Sequence, residues 1–405
     1  MKKLIVNQLS ELDSAGLAEI PVDRIEGRIL FSRSRRIIDF CNTNYLGFDH
    51  EELPHRLGCE MASELGMLFG LSRLEANPSV YHDVEASLAK FLGVNETILS
   101  HTITITNFSI MSAIAKKGII FADAKVHAVV FEAARLARDH GAKLEIFAHQ
   151  DTTGLRKLLE TNRSVGPKII CVDGIYSISS APAPIQELHS LAEEFDAWLF
   201  VDDAHGFGVL GRNPTHAMPF GEDGAGLLAH RENFLGELNK RTFYVSSFGK
   251  AFCTHTAFVA PPTEYPEPIR EQCLQYIFSA PMTPYVLGLV KGVMLLNLTH
   301  GRERRKKLHE LTLRLKTGLQ SLGCEILNEN GFPIVFWKVG SIENLIMAAK
   351  YLLDAGVLGG LRAYPVVPKD QCGIRFGLTA LHTELQVDRA IQAVSDFLQV
   401  HRNAT

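Results

Sequence analysis

The chain has 405 residues, 46% of them apolar and 21% charged, enough to bury a large core and to form one large domain with a smaller one. A net charge of -4 offers no basic surface for nucleic acid or anionic lipid. The seven cysteines (41, 59, 171, 253, 273, 324 and 372) have no CxxC spacing, which excludes dithiol redox chemistry and a cysteine zinc cluster and leads us to expect reduced thiols and a cytoplasmic protein.

In chain order, the opening MKKLIVNQLSELDSAG reads as no signal peptide, because Asn7, Gln8 and Ser10 interrupt its apolar run. Residues 1–45 are expected to pack on a C-terminal unit, residues 46–285 to form the large domain, and residues 286–405 the small one. Strand signals fall at Thr97 to Ser100, at Ala128 to Val130 or nearby, and then at Leu144 to Phe147, Lys168 to Val172, Trp198 to Val201, Thr242 to Val245 and Thr256 to Ala260. Amphipathic helical segments, Phe131 to His140, Asp151 to Thr161 and Ile185 to Phe195, lie between them. That alternation predicts an α/β fold, a mostly parallel sheet covered by helices on both faces. The apolar run Tyr285 to Leu298 contains Lys291 and falls short of the roughly twenty residues that span a bilayer, so it reads as a core or interface helix. The Arg and Lys residues of GRERRKKLHELTLRLKTGLQSLG read as a solvated helix face. Strand and helix signals then continue to residue 400.

Two strand ends carry the chemistry. WLFVDDAHGFGVLG stops at Asp202, Asp203 and His205, and RTFYVSSFGKAF stops at Lys250. In open α/β sheets ligands sit at the carboxyl ends of the strands, so these tips are expected to share one crevice. A lysine, a carboxylate and a histidine together suit pyridoxal phosphate, which needs an amine for its aldehyde, an anion for its ring nitrogen and a donor for its phenolic oxygen.

NYLG (Asn44 to Gly47), His127 in DAKVHAVVFEAARLA, DGIYSISSAPAPIQEL, DDAHGFGVLG, SFGKAF and PVVPKDQCGIRFGLTALHT occur in an order and at intervals that resemble the α-oxoamine synthases. These are fold-type I pyridoxal phosphate enzymes that include 8-amino-7-oxononanoate synthase and serine palmitoyltransferase. The resemblance spans residues 40 to 400 and implies a homodimer with shared active sites. It makes Lys250 the Schiff-base lysine, Asp202 the partner of the ring nitrogen and His205 the donor to the phenolic oxygen. His127 falls at the ring-stacking position; Ser177 and Ser247 fall where hydroxyls meet the phenolic oxygen and the phosphate. Arg375, seven residues before His382, is placed as the clamp on the substrate carboxylate, a task that suits a planar guanidinium. Asn44 is placed as a further substrate contact, and Ser279 as a hydroxyl reaching the phosphate from the partner subunit.

The chain also departs from that pattern. Ile103 and Thr104 stand where the family has Gly and an aromatic in its phosphate turn, so hydroxyls of Ser247 and of Thr102, Thr104 or Thr106 are expected to replace lost backbone amides. Cys253, Thr254, His255 and Thr256 follow the lysine where a Gly-Gly segment is usual, and Gly373 removes one arginine of the usual Arg-x-Arg. Some departures, with GAGLL and GVLGG, resemble the quorum-sensing autoinducer synthases. The implied substrates are an acyl-CoA or acyl carrier protein thioester and a small amino acid or an activated relative. Readings kept alongside are 8-amino-7-oxononanoate synthase or a serine palmitoyltransferase-like enzyme, and an aminotransferase or C–S lyase, which would share Lys250 and Asp202. An ATPase reading of DDAH fails, since no GxxxxGK[ST] loop is present.

Overall fold

A computed structural model describes residues 11–230, 239–328 and 330–402. The first ten residues, including most of the segment read above as no signal peptide, lie outside that range. The described residues divide into two compact units, one drawn from the described parts of 48–176 and 182–303, the other from those of 11–47, 177–181 and 304–402. Among the described residues no helix is long and apolar enough to cross a membrane.

The strands in chain order are β1 (Arg24–Glu26), β2 (Ile29–Ser32), β3 (Arg35–Phe40), β4 (Ile98–Ser100), β5 (Ile119–Asp123), β6 (Lys143–Phe147), β7 (Lys168–Asp173), β8 (Ala197–Asp202), β9 (Thr242–Ser247), β10 (Ala257–Ala260), β11 (Glu325–Leu327), β12 (Ile334–Gly340), β13 (Val357–Arg362) and β14 (Cys372–Gly377). The larger unit holds a seven-stranded sheet in the order β4-β10-β9-β8-β7-β5-β6, in which only β10 runs against its neighbours. Its central strands, such as KIICVD and TFYVSS, are buried along their whole length, as expected of a parallel sheet covered on both faces. The helices Ile103–Ala115 and Ala128–Asp139 pack through Ile110, Met111, Ile114, Ala133, Ala134 and Ala137 onto Ile120, Ile169, Phe200 and Phe243.

One predicted strand is replaced. Ala128 to Val130 begins a helix, and the strand lies earlier, at Ile119–Asp123. Buried Val130, Ala133, Ala134 and Ala137 fall at i, i+3, i+4 and i+7, so the helical period overrides the β-branched pair at its start. The helix Pro284–Ser321 takes in the apolar run from Tyr285, with Leu287, Val290, Val293 and Leu296 buried.

The smaller unit has a sheet in the order β1-β2-β3-β13-β14-β12-β11, parallel only between β3 and β13. The N-terminal strands are thus hydrogen-bonded into the same sheet as the C-terminal ones.

Candidate active site

In the larger unit, β4, β5, β7, β8 and β9 point the same way, and their carboxyl ends gather the polar residues. Asp123 ends β5, Asp173 ends β7, Asp202 ends β8 and Ser247 ends β9. Lys250 follows three residues after Ser247, in a turn whose Cys253 amide donates to the Lys250 carbonyl at 3.1 Å. Asp202 is 7% exposed; its Oδ1 accepts from the Ala204 amide at 3.1 Å and its Oδ2 from Asn107 Nδ2 at 2.7 Å.

The neighbouring acids differ in kind from Asp202. Asp203 is fully buried, accepts from the Leu227 amide and the Tyr244 hydroxyl, each at 2.7 Å, and burial pushes its carboxyl up to about 7. It anchors the loop after β8. Asp173 lies in register with Asp202, and both its oxygens accept from the His127 amide at 3.0 Å. Burial, and then the charge of Asp202, raise the Asp173 carboxyl well above the usual range, while Lys250 pulls it down. Asp173 therefore lies within electrostatic reach of both Asp202 and Lys250. His127 caps the helix Ala128–Asp139, its Nδ1 accepting from the Val129 amide at 3.3 Å. At Asp123, burial is outweighed by donors from His149, Gln150 and Lys125, which hold the carboxyl below its ordinary value.

The segment expected to meet the phosphate is a helix end rather than a glycine turn. The helix Ile103–Ala115 starts just past β4, on the same carboxyl edge, with Thr102 as N-cap accepting from the Ile105 amide at 3.2 Å. Thr106 is fully buried and its hydroxyl donates to the Thr102 carbonyl at 2.8 Å, so two of the three threonine hydroxyls are committed to the helix itself. What Ile103 removes in backbone freedom, the helix N-terminus returns as N–H groups and dipole, which suit a phosphate. Thr104 lies in that first turn. Ser247 Oγ donates to the Thr256 carbonyl at 3.1 Å and accepts from the Gly249 amide at 2.9 Å, tying the lysine turn to β10. Cys253 adopts φ +58°, the left-handed region that favours glycine, and its Sγ accepts from the Phe48 amide at 3.3 Å. Ser279 donates to its neighbour's carbonyl, Ala280 O, at 3.2 Å.

The smaller unit carries Asn44, Ser177 and Arg375. Asn44 sits in a turn, its amide donating to Asn42 Oδ1 at 3.1 Å and its carbonyl accepting from Gly47 N at 2.9 Å. Arg375, on β14, donates to the Ser177 carbonyl at 3.3 Å. Sequence reasoning missed its companion, Arg362 on β13. The cross-strand partner of Arg362 is Gly373, and that of Arg375 is Gly360. A Cβ on Gly360 would lie 3.3 Å from Arg362 Nη1, so the Arg362 side chain lies back over that glycine. Burial, then the charge of Arg375, lower the Arg362 guanidinium to about 10. Asn107 was also missed, because one asparagine in an apolar helix carries no spacing signal.

The donor set fits pyridoxal phosphate: a buried carboxylate for the ring nitrogen, a lysine amine for the aldehyde and a helix N-terminus for the phosphate. The chain matches the family described as Aminotransferase class I and II over residues 35–394. It is 32% identical over 397 residues to the 8-amino-7-oxononanoate synthase of Geotalea daltonii, covering 96% of each chain. To the enzyme of the same name from Nitrosococcus oceani it is 30% identical over 376 residues, covering 92% of this chain and 94% of the relative. The solved structure of Sphingomonas wittichii serine palmitoyltransferase superposes with a TM-score of 0.87 at 23% identity, over 98% of this chain and 97% of that one, a likeness of fold.

Proposed function

We propose, for a chain that belongs to the aminotransferase class I and II family and within it to the pyridoxal phosphate-dependent α-oxoamine synthases, that its reaction joins an acyl thioester to the α-carbon of a small amino acid. The carboxylate leaves as carbon dioxide, the thiol of CoA or of a carrier protein is released, and an α-aminoketone forms. The observation that carries this reading is the placement of Asp202 and Lys250 at the ends of two adjacent parallel strands, β8 and β9. Bound pyridoxal phosphate supplies an electron sink for negative charge developing at the substrate α-carbon.

The chain's own residues divide the remaining work. Lys250 holds the cofactor aldehyde and, once displaced, is the base that takes the α-proton onto Nζ. Asp202 pairs with the ring nitrogen, His205 donates to the phenolic oxygen and His127 covers a ring face. Ser177 provides a hydroxyl to the phenolic oxygen. The phosphate is held by the first turn of the helix Ile103–Ala115, by Thr104 and by Ser247, with Ser279 reaching it from the partner subunit of a homodimer. Arg375, with Arg362 beside it, grips the substrate carboxylate, and Asn44 is a second contact to that substrate. No carboxylate pairs with Arg362 or Arg375 among the described ion pairs, which supports an anionic ligand for the two.

The relatives carry the name of the 8-amino-7-oxononanoate synthase reading, which therefore has more support than the autoinducer branch. Thiol release from a panel of acyl-CoA and acyl carrier protein thioesters, with and without each amino acid, tests the proposal. Release that requires both substrates supports it. Consumption of amino acid without any thiol release would favour a transaminase or lyase.

A further inference from the structure

Asn107 sits fully buried in the helix Ile103–Ala115, among Phe108, Ile110 and Met111. Asparagine is a poor residue for a helix interior, and an apolar one would suit that core better. Its side chain is nonetheless aimed at one atom: Nδ2 lies 2.7 Å from Asp202 Oδ2. An ionised carboxylate only accepts, so the group facing it is the NH2 and the amide orientation follows from the network. The consequence is that Asn107 Oδ1 is buried with no hydrogen-bond partner. A buried, unsatisfied acceptor is unfavourable, and a leucine would avoid it. Together with the Ala204 amide on Oδ1, Asn107 gives each oxygen of Asp202 one fixed donor.

We propose that Asn107 is a positioning residue that acts through Asp202, holding its carboxylate in the orientation needed to pair with the ring nitrogen of the cofactor. This inference rests on the role given to Asp202 above. A side chain two bonds from the backbone of a packed helix is a rigid support, and the Asp202 carboxylate, held at both oxygens, cannot turn without breaking a buried hydrogen bond.

The test uses full-length protein loaded with pyridoxal phosphate labelled with nitrogen-15 in the ring. In the wild type the ring nitrogen should resonate as a protonated pyridinium. Asn107→Leu should move that resonance toward a neutral pyridine and lower kcat by about ten- to a hundredfold, the range for partners that orient a functional side chain, with amino acid KM changed less than about threefold. Should Asn107→Leu fail to fold, Asn107→Ala, smaller and likewise without a donor, is expected to move the resonance in the same direction. In an Asp202→Asn background, Asn107→Leu should cost nothing further, since the two act as one unit. If Asp202→Asn shifts the resonance and the Asn107 variants do not, the inference is overturned. If Asp202→Asn itself leaves the resonance in place, the role of Asp202 is what fails.

Discussion

Arg362 stands directly across from Gly373 on the neighbouring antiparallel strand, so the guanidinium missing from position 373 is matched by one on β13. Gly373 has no room to carry it: a Cβ there would lie 2.4 Å from both the Phe336 ring and the Trp337 carbonyl. Gly373→Ala should therefore destabilise the smaller unit by about 1–3 kcal/mol, the usual cost of overpacking. A urea midpoint equal to the wild type's would contradict this packing.

If Arg362 and Arg375 share one anion, each substitution should raise the amino acid KM. Charge-assisted hydrogen bonds are worth about 1.5–3 kcal/mol, so Arg375→Ala is expected to raise it by more than about tenfold and Arg362→Ala by a comparable factor. Saturation kinetics at fixed acyl thioester measure both. A KM untouched in Arg375→Ala would remove it as the carboxylate clamp.

Ser247 bridges the lysine turn to β10 through Thr256 and Gly249, so its loss acts on the turn as well as on any phosphate contact. Ser247→Ala should weaken pyridoxal phosphate binding by about tenfold or more. Titrating cofactor into stripped wild-type and variant protein decides it, and equal affinities would leave the phosphate to the helix N-terminus alone.

His382 gives the smaller unit an acid limit. Its Nδ1 accepts from the Thr379 amide at 3.0 Å, so Nε2–H donates to the Asp39 carbonyl at 3.0 Å, and its ring stacks on Phe40 at 4.4 Å. Burial, then the charge of Arg28, push the imidazole down to about 3. The unfolded chain takes up this proton below about pH 6.5 and the folded chain does not, so stability falls as pH drops from there toward 3, by up to about 1.4 kcal/mol per pH unit. Replacing the imidazole in His382→Gln should flatten the dependence of the urea midpoint on pH between 6 and 4. Equal slopes in the two proteins would contradict it.

Much of the architecture was legible because parallel strands buried on both faces are written as continuous apolar runs, and those runs end at Asp202 and near Lys250. The pair Val129 and Val130 misled, since β-branched residues also open helices when the apolar spacing behind them is helical. The altered phosphate turn was legible as a departure, but its outcome was not. Whether Ile103 ruins a loop or starts a helix depends on Thr102 as a cap and on the core that Ile110 and Met111 reach. Arg362 and Asn107 were invisible for a different reason. Each matters through a residue far away in sequence, one by strand register and the other by a hydrogen bond across the core, and neither relation leaves a local pattern.

In the proposed reaction, carbon–carbon bond formation at the substrate α-carbon accompanies loss of its carboxylate. The most direct measurement supplies an amino acid labelled with carbon-13 at the carboxyl group, together with an acyl-CoA, and follows product and gas by mass spectrometry in wild-type and Lys250→Ala protein. The expected result is labelled carbon dioxide and an unlabelled aminoketone in equal amounts, with one CoA thiol released for each, and none of these from Lys250→Ala. A labelled keto acid, formed without CoA release, would contradict the account.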